Sequence, residues 1–265
     1  MNNVILLIPH YNNLEGLTKS INAIGTNEEL DLLIVDDGSS FLLDEDNIKK
    51  SFKAKGLVFF KYLKANQGIE NALNVGLTYI LEKGYTYTAR LDCGDICVSD
   101  RFIKQISFLN ENKDISLIGS DVDFVNTKGD FLYKLKVPKE DKVIRRKMYI
   151  NAMHIHPTIM FRNSILNKTG LYPTNYKAAE DYAFFFQVLQ HCKVANLDEV
   201  LVHCELNPNG LSAVKRSEQA RNRVRIIIAN FYFGVYPIYG LLRSLLLCIV
   251  PLPLLIRLKT ILKKS

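Results

Sequence analysis

The sequence is short of cysteine and has none of three common nucleotide or hydrolase motifs. Its five cysteines are odd in number, and the closest pair, Cys93 and Cys97, has no further zinc ligands nearby. This argues against a disulfide framework or a zinc site and favours reduced thiols in a cytosolic compartment. The motifs G-x-x-x-x-G-K-[ST], G-x-G-x-x-G and G-x-S-x-G are all missing. Their absence excludes P-loop, dinucleotide-binding and serine-hydrolase classes.

Long apolar runs are also missing, and basic charge is concentrated at one end. Residues 215–265 contain ten lysines and arginines against one acid, whereas the rest of the chain carries 24 basic and 26 acidic residues. Apolar clusters alternate with these cations, but the uncharged runs 226–242 and 244–256 are shorter than the ~20 residues that span a bilayer. We therefore expect residues 213–265 to form a helical tail that lies on an anionic membrane surface, rather than one that binds nucleic acid. A chain ending near Ser212 should then stay soluble, unless the tail is a helical pair packed on the core or a homodimer interface.

Strand and helix patterns alternate through the first 109 residues, which predicts an α/β fold with a mostly parallel sheet. After residue 115, short alternating runs predict a small antiparallel addition, and two further helices follow. The predicted strands are 4–8, 32–35, 57–62, 87–91, 121–126 and 131–136, and the predicted helices are 14–24, 44–52, 69–81, 100–109, 139–149 and 181–190.

Three acidic clusters lie at informative places. Asp36 and Asp37 follow the second predicted strand, the segment Asp92–Asp95 follows the fourth, and Glu180 and Asp181 begin a helix. Open α/β sheets bind ligands at the carboxyl ends of their strands, so we expect the first two clusters at one rim. Carboxylates gathered there suggest a metal ion and a nucleotide.

Five motifs occur in one order along the chain, and together they resemble the family 2 glycosyltransferases with the GT-A fold, over about residues 2–205. They are Pro9-His10-Tyr11-Asn12, Val35-Asp36-Asp37-Gly38-Ser39, Asn66-Gln67-Gly68, Arg90-Leu91-Asp92-Cys93-Gly94-Asp95 and Ala179-Glu180-Asp181. The resemblance implies a Rossmann-like catalytic domain at 1–212, with a nucleotide-binding half at 1–115 and an acceptor half at 116–212. It also implies inverting transfer of a hexose from a nucleoside-diphosphate sugar, a UDP-sugar first of all, to a glycan acceptor. We expect that acceptor to be lipid-linked and to belong to surface polysaccharide synthesis, such as O-antigen or capsule.

The resemblance implies donor contacts at nine positions, for which the sequence also offers structural alternatives. For Asp37 the alternative is turn chemistry, for the asparagines it is helix capping, and for the arginine it is a salt bridge to a nearby acid. The nine are Pro9, Tyr11, Asp36, Asp37, Asn66, Gly68, Asn71, Arg90 and Asp92.

Asp92 and Asp95 are the expected ligands of Mg²⁺ or Mn²⁺, since hard cations take carboxylate oxygens together with substrate phosphate. Here the chain departs from the family pattern Asp-x-Asp-Asp, because Gly94 replaces the middle acid. We expect that Gly94→Asp would preserve or raise metal affinity.

Asp181 is the expected general base, since in the resembled family the Asp of a Glu-Asp pair that heads a helix deprotonates the acceptor hydroxyl. The alternative is a helix cap. Glu180 is expected to orient Asp181 or to contact the acceptor, and His156, in the His-Pro-Thr segment, is expected beside the acceptor cleft.

Two other functions stay open at this point. A sugar nucleotidyltransferase would need a basic glycine-rich loop, and Pro9–Gly16 contains no lysine or arginine. A non-catalytic, membrane-bound partner with the same fold is favoured by the missing middle acid. If the protein is a glycosyltransferase, we expect it to be a peripheral protein on the cytoplasmic face of the cell membrane.

Overall fold

The computed structural model describes residues 2–98, 100–207, 210 and 214–249, and a nine-stranded mixed sheet lies at the centre of these ranges. Along the sheet the order is β3-β2-β1-β4-β8-β6-β9-β5, with β7 paired to β6. The strands β1–β4 are parallel, β8 is antiparallel to both of its neighbours, and β9 runs parallel to β6. The predicted parallel α/β sheet with an antiparallel addition is thus confirmed.

The first half of the chain alternates strands and helices as predicted. β1 and β2 are almost continuous apolar runs because helices cover both faces of the sheet. The elements are β1 (Val4–His10), α1 (Leu14–Asn22), β2 (Asp31–Asp36), α2 (Glu45–Ser51), β3 (Val58–Tyr62), α3 (Ile69–Lys83), β4 (Tyr87–Arg90), β5 (Ile96–Cys97) and α4 (Arg101–Glu111).

The second half contains one long strand that the sequence patterns did not predict. This strand, β9, pairs with nearly the full length of β6. The elements are β6 (Ile115–Val125), β7 (Phe131–Leu135), α5 (Asp141–Lys147), β8 (Met160–Arg162), α6 (Leu166–Thr169), α7 (Glu180–His191) and β9 (Lys193–Glu205).

Two helices, α8 (Arg216–Ala229) and α9 (Val235–Ile249), cover the part of the tail that the structure describes. Ile226 and Ile227 of α8 are buried in the same apolar core as α3 and α7. The alternative of a helical pair packed on the core therefore holds for α8, although the boundary at 212 had assigned this helix to a separate tail. Among the described helices, none has the length and apolar character needed to cross a membrane. The rest of the predicted tail, residues 250–265, lies outside the described residues.

Helix α9 packs against the end of α5 and leaves much of its apolar surface open. A Cβ at Gly240 would overlap the carbonyl oxygen of Tyr149, so the two backbones approach closely there. Arg243 Nη1 donates to the carbonyl of Ile150 at 2.9 Å. On the open side Phe233 is 94% exposed, and Val235 and Leu242 are also exposed. One side of the helix therefore packs on the protein, and the other side is exposed.

Candidate active site

The carboxylate of Asp36 stands at the end of β2 and is held by its neighbours. Its Oδ2 lies 2.6 Å from His10 Nδ1 and accepts from the Ser39 hydroxyl at 2.7 Å, while Oδ1 accepts from the Ser39 amide at 2.8 Å. Burial raises the pKa of Asp36, but the hydrogen bonds from Ser39 and His10 outweigh burial and lower it below its usual value. Asp36 is therefore a fixed, ionised acceptor at the rim where the donor base is expected.

Asp37 joins the end of β2 to the loop before α3. Its two oxygens accept from the amides of Gln67 at 2.8 Å and Gly68 at 2.9 Å. Gly38 has φ 72°, and a Cβ there would overlap the backbone of Ala65, so only glycine fits. The turn alternative therefore holds for Gly38, and Asp37 has a structural role whether or not it contacts a donor.

The other predicted donor contacts differ in accessibility. Tyr11 is 48% exposed, and Asn66 is also exposed. Pro9 and Gly68 are half-buried. Asn71 Nδ2 donates to the carbonyl of Gln67 at 2.7 Å, and the N-cap of α3 is Gly68, so Asn71 does not serve as the expected helix cap.

Arg90 is fully buried and forms the salt bridge that was the alternative to a donor contact. Its Nη2 lies 2.5 Å from Asp92 Oδ1, and its Nη1 donates to the carbonyls of Leu7 at 3.0 Å and Leu91 at 2.9 Å. Although burial raises the pKa of Asp92, the charge of Arg90 lowers it below the usual value. Arg90 thus orients Asp92 and keeps it ionised.

His156 lies beneath this arginine instead of on the open rim. Its Nε2 is 3.4 Å from Arg90 Nε and 2.9 Å from the hydroxyl of Tyr172. Burial and the neighbouring arginine charge lower the pKa of His156 to about 3, so the ring is neutral. The predicted acceptor contact stays a prediction, since the observed contacts of His156 are those of a support for Arg90.

Asp92 and Asp95, the expected metal ligands, face different surroundings. The side chain of Asp92 is 37% exposed. Asp95 is only 6% exposed, accepts from the Glu205 amide at 2.8 Å, and has a pKa well above its usual value because of burial and the charge of Asp92. Within the described ranges, no group of three or more His, Cys, Asp or Glu side chains is arranged to hold a metal ion. Asp92 therefore fits a cation that takes its remaining ligands from substrate phosphate and water, and Asp95 fits a direct ligand poorly.

The conformation of Gly94 argues against the expectation that Gly94→Asp preserves or raises metal affinity. Its φ is 104°, a region that strains any residue with a side chain. A Cβ there would also lie 3.6 Å from the carboxylate of Glu205, so an added carboxylate would meet a like charge. We now expect Gly94→Asp to distort the turn and to weaken metal binding.

Glu180 and Asp181 occupy the first turn of α7. Glu180 is buried, its Oε2 has no hydrogen-bond partner in the described part of the chain, and burial with the charge of Asp181 raises its pKa to about 8. Burial also raises the pKa of Asp181, and the charge of Asp92 raises it further. The charge of Asp92 thus acts on both acids of α7, which indicates that the turn after β4 lies near the start of α7.

Three residues without a predicted role also belong to this candidate site. Glu70 lies close to the donor loop, since a Cβ at Gly68 would be 2.7 Å from its Oε2, and its charge contributes to the raised pKa of Glu180. Tyr172 supports His156. Arg223, from α8, lies over the ring of Tyr182 at 4.6 Å and donates to Asn151 Oδ1 at 2.9 Å. Glu70 lies two residues after the motif Asn66-Gln67-Gly68, whereas nothing local in the sequence marks Tyr172 or Arg223.

Arg223 gives a testable pH dependence. Its positive charge lowers the pKa of Asp181 against the effect of burial, so Arg223→Gln should raise that pKa. Activity that needs ionised Asp181 is lost as the pH falls through this pKa, and the acidic limb of the turnover–pH profile should therefore move to higher pH. The control is Arg146→Gln, which removes an exposed arginine from α5. An acidic limb that stays in place would show that Arg223 has no electrostatic role.

Carboxylates at the carboxyl rim of a mostly parallel sheet, near the two acids that begin α7, are an arrangement typical of the ligand sites of open α/β folds. The model of the Glycosyl transferase family 2 matches residues 5–170, well over half of the chain. The protein therefore belongs to glycosyltransferase family 2 and is a glycosyltransferase.

Characterised relatives resemble the chain at low identity. The O-antigen biosynthesis glycosyltransferase WbnJ of Escherichia coli is 25% identical over 208 residues, which cover 78% of each chain. The UDP-Gal:alpha-D-GlcNAc-diphosphoundecaprenol beta-1,3-galactosyltransferase of Escherichia coli is 27% identical over 173 residues, covering 64% of this chain and 60% of the relative.

Solved structures show the same fold. S. aureus TarS 1–349 in complex with UDP-GlcNAc superimposes with a TM-score of 0.68 at 17% identity, covering 92% of this chain and 72% of TarS. The mannosyltransferase PcManGT from Pyrobaculum calidifontis, in complex with GDP-Man and Mn²⁺, gives 0.63 at 14% identity, covering 98% and 79%. At these identities the likeness establishes the GT-A-type fold alone.

Proposed function

We propose that the protein moves one sugar from a nucleoside-diphosphate donor, best matched by a UDP-sugar, to the glycan of a lipid-linked acceptor, with inversion, during synthesis of a surface polysaccharide. The observation that carries this proposal is that Asp92, held by Arg90 after β4, has a negative charge that acts on both Glu180 and Asp181 at the start of α7. Membership of the family supports the transfer, and the O-antigen and diphosphoundecaprenol names of two relatives support the acceptor class.

On the donor side, the rim residues would bind the nucleotide. Tyr11 would flank the base, and the fixed carboxylate of Asp36 would accept from its imide N–H. Asp92, oriented by Arg90, would hold Mg²⁺ or Mn²⁺ against the diphosphate. A bound divalent cation would supply neutralisation of the leaving diphosphate. The Mn²⁺ complex of PcManGT is consistent with this assignment.

On the acceptor side, Asp181 would take the proton from the attacking hydroxyl. The oxygen then forms a bond to the anomeric carbon as the bond to the nucleoside diphosphate breaks on the opposite face, which inverts the configuration. Burial raises the pKa of Asp181 and so favours proton uptake. Glu180, whose pKa is about 8, is protonated at neutral pH and can donate a hydrogen bond to the acceptor or the transferred sugar.

The exposed side of α9 would place the enzyme on the membrane. Val235, Leu242 and Leu246 are exposed apolar side chains of this helix, and basic residues of the tail lie on both sides of them in sequence. Apolar insertion combined with attraction to anionic lipid would hold the enzyme at the inner face of the cell membrane without a span.

A donor panel tests the enzymatic proposal. With Mn²⁺ present, we expect one UDP-sugar to raise the melting temperature and to be cleaved with release of UDP. Asp92→Asn should reduce this release at least tenfold, because the variant loses both the Arg90 ion pair and the metal-facing charge, whereas Asp46→Asn on the exposed face of α2 should not.

Two results would decide against parts of the proposal. Undiminished release after exhaustive chelation would remove the metal from it. If no nucleotide sugar were bound or cleaved, the non-catalytic partner would be the better interpretation.

A further inference from the structure

A cavity of about 390 Å³ lies between the loop that precedes α7 and the first half of α8. Thr174, Asn175 and Lys177 line it from the loop, and Glu218, Arg221, Asn222 and Arg225 line it from the helix. Three of these side chains are cationic and one is anionic. Within the described residues, none of the three cations forms an ion pair with a carboxylate. The cavity therefore has an unneutralised positive charge.

The walls of this cavity are fixed by hydrogen bonds. The buried side chain of Asn222 donates to the carbonyl of Lys177 at 2.8 Å, which joins the helix to the loop. Arg225 Nη1 donates to Asn222 Oδ1 at 2.8 Å and to the carbonyl of Asn175 at 3.2 Å, and its guanidinium lies over the ring of Tyr176 at 5.1 Å. An arginine held in this way loses little freedom when it binds an anion.

The position of the cavity relates it to the chemistry. Lys177 precedes Asp181 by four residues, so their Cα atoms are at most about 14 Å apart. Arg221 and Arg225 are one turn apart and share a face of α8, whereas Arg223, which influences Asp181, lies two residues from each and on a different face. Farther along the chain, α9 presents its exposed apolar face. The general base, the cationic cavity and the apolar face thus belong to consecutive elements of the chain.

We propose that this cavity binds the phosphate or diphosphate that joins an acceptor glycan to its lipid. The inference rests on the proposed transfer to a lipid-linked acceptor and adds a subsite for its charged linkage. Arginine guanidinium groups match phosphate oxygens in pairs of hydrogen bonds, and the three cations exceed the single carboxylate of Glu218. With the linkage bound there, the glycan would extend from the loop that precedes α7 towards Asp181. Free pyrophosphate and anionic lipid headgroups offer the same chemistry, so the experiment separates these sources.

Geranyl diphosphate, inorganic pyrophosphate and geraniol serve as soluble probes, titrated calorimetrically into the full chain. We expect the two diphosphates to bind and geraniol to bind far more weakly. Arg221→Gln and Lys177→Gln, both exposed positions, should each weaken diphosphate binding about tenfold, the loss of one charge-assisted contact. Arg225→Lys should retain part of the affinity, and Arg146→Gln should retain all of it.

Equal losses in Arg146→Gln, or unchanged binding in Arg221→Gln and Lys177→Gln, would overturn the proposal. The proposal would also be overturned if Arg221→Gln and Lys177→Gln reduced only co-sedimentation with phosphatidylglycerol vesicles. The cations would then bind a membrane surface and not a diphosphate. Donor binding is followed in the same variants by thermal shift. If diphosphate binding depends on the cavity but no nucleotide sugar binds, the proposed function fails and the anion site stands. If the donor binds and the cavity variants change nothing, only the subsite fails.

Discussion

Asp181→Asn is expected to lower the turnover number by roughly 10²–10⁴ and to leave donor affinity nearly unchanged. Asparagine has the shape of the carboxylate and can still accept from the Tyr182 amide, which lies 2.6 Å from Asp181 Oδ1, but it cannot take a proton. The measurement is single-turnover transfer with donor affinity from thermal shift, and Asp46→Asn is the control. A parallel loss of donor affinity would make Asp181 a structural residue of α7.

A chain that ends at residue 212 is expected not to fold, contrary to the sequence-based expectation that the protein stays soluble without its tail. Ile226 and Ile227 are buried, and complete burial of each contributes about 1.5–3 kcal/mol. Together they contribute about 3–6 kcal/mol, which reaches the lower end of the net stability of an ordinary domain, about 5–15 kcal/mol. Circular dichroism and urea unfolding of chains ending at 212 and at 249 measure the difference, and we expect the longer chain to fold.

Two neighbouring point variants separate packing from chain length. Ile227→Ala should lower the free energy of unfolding by about 2–5 kcal/mol, because it leaves a cavity in the core. Ile228 is 57% exposed, so Ile228→Ala should change it by about 0.5 kcal/mol or less. Equal effects, or a stable chain ending at 212, would restore α8 to a separable tail.

The first half of the fold was predictable because its signals are local. Strands such as β1 and β2 are short apolar runs that end in turn residues, and helices such as α3 show a regular apolar period. Strand β9 was missed because Asn196, Asp198 and Glu199 interrupt its pattern, and its pairing with β6 joins segments some eighty residues apart. Such pairing depends on tertiary contacts that no short window contains.

In the candidate site, too, some features were predictable from the sequence and others depended on distant residues. Residue types and order, through the resemblance to the family, predicted that Asp92 and Asp181 serve one site. Their protonation and partners depended on distant groups, such as Arg223 beside Asp181, which acts from another helix some forty residues later. The positive φ of Gly94 disfavours an acid at this position, and nothing in the composition or spacing of the sequence predicts that backbone angle.

The close approach at Gly240 has a consequence for the geometry of the whole enzyme. Because α9 contacts Tyr149 backbone to backbone and Arg243 ties it to Ile150, the helix cannot roll without moving the end of α5. If α9 rests on lipid as proposed, this contact between α9 and the end of α5 sets the tilt of the molecule and the height of its active site above the headgroups. Gly240→Leu would then act as a wedge that changes which hydroxyl of a growing glycan comes level with Asp181, and so the length of acceptor that the enzyme extends.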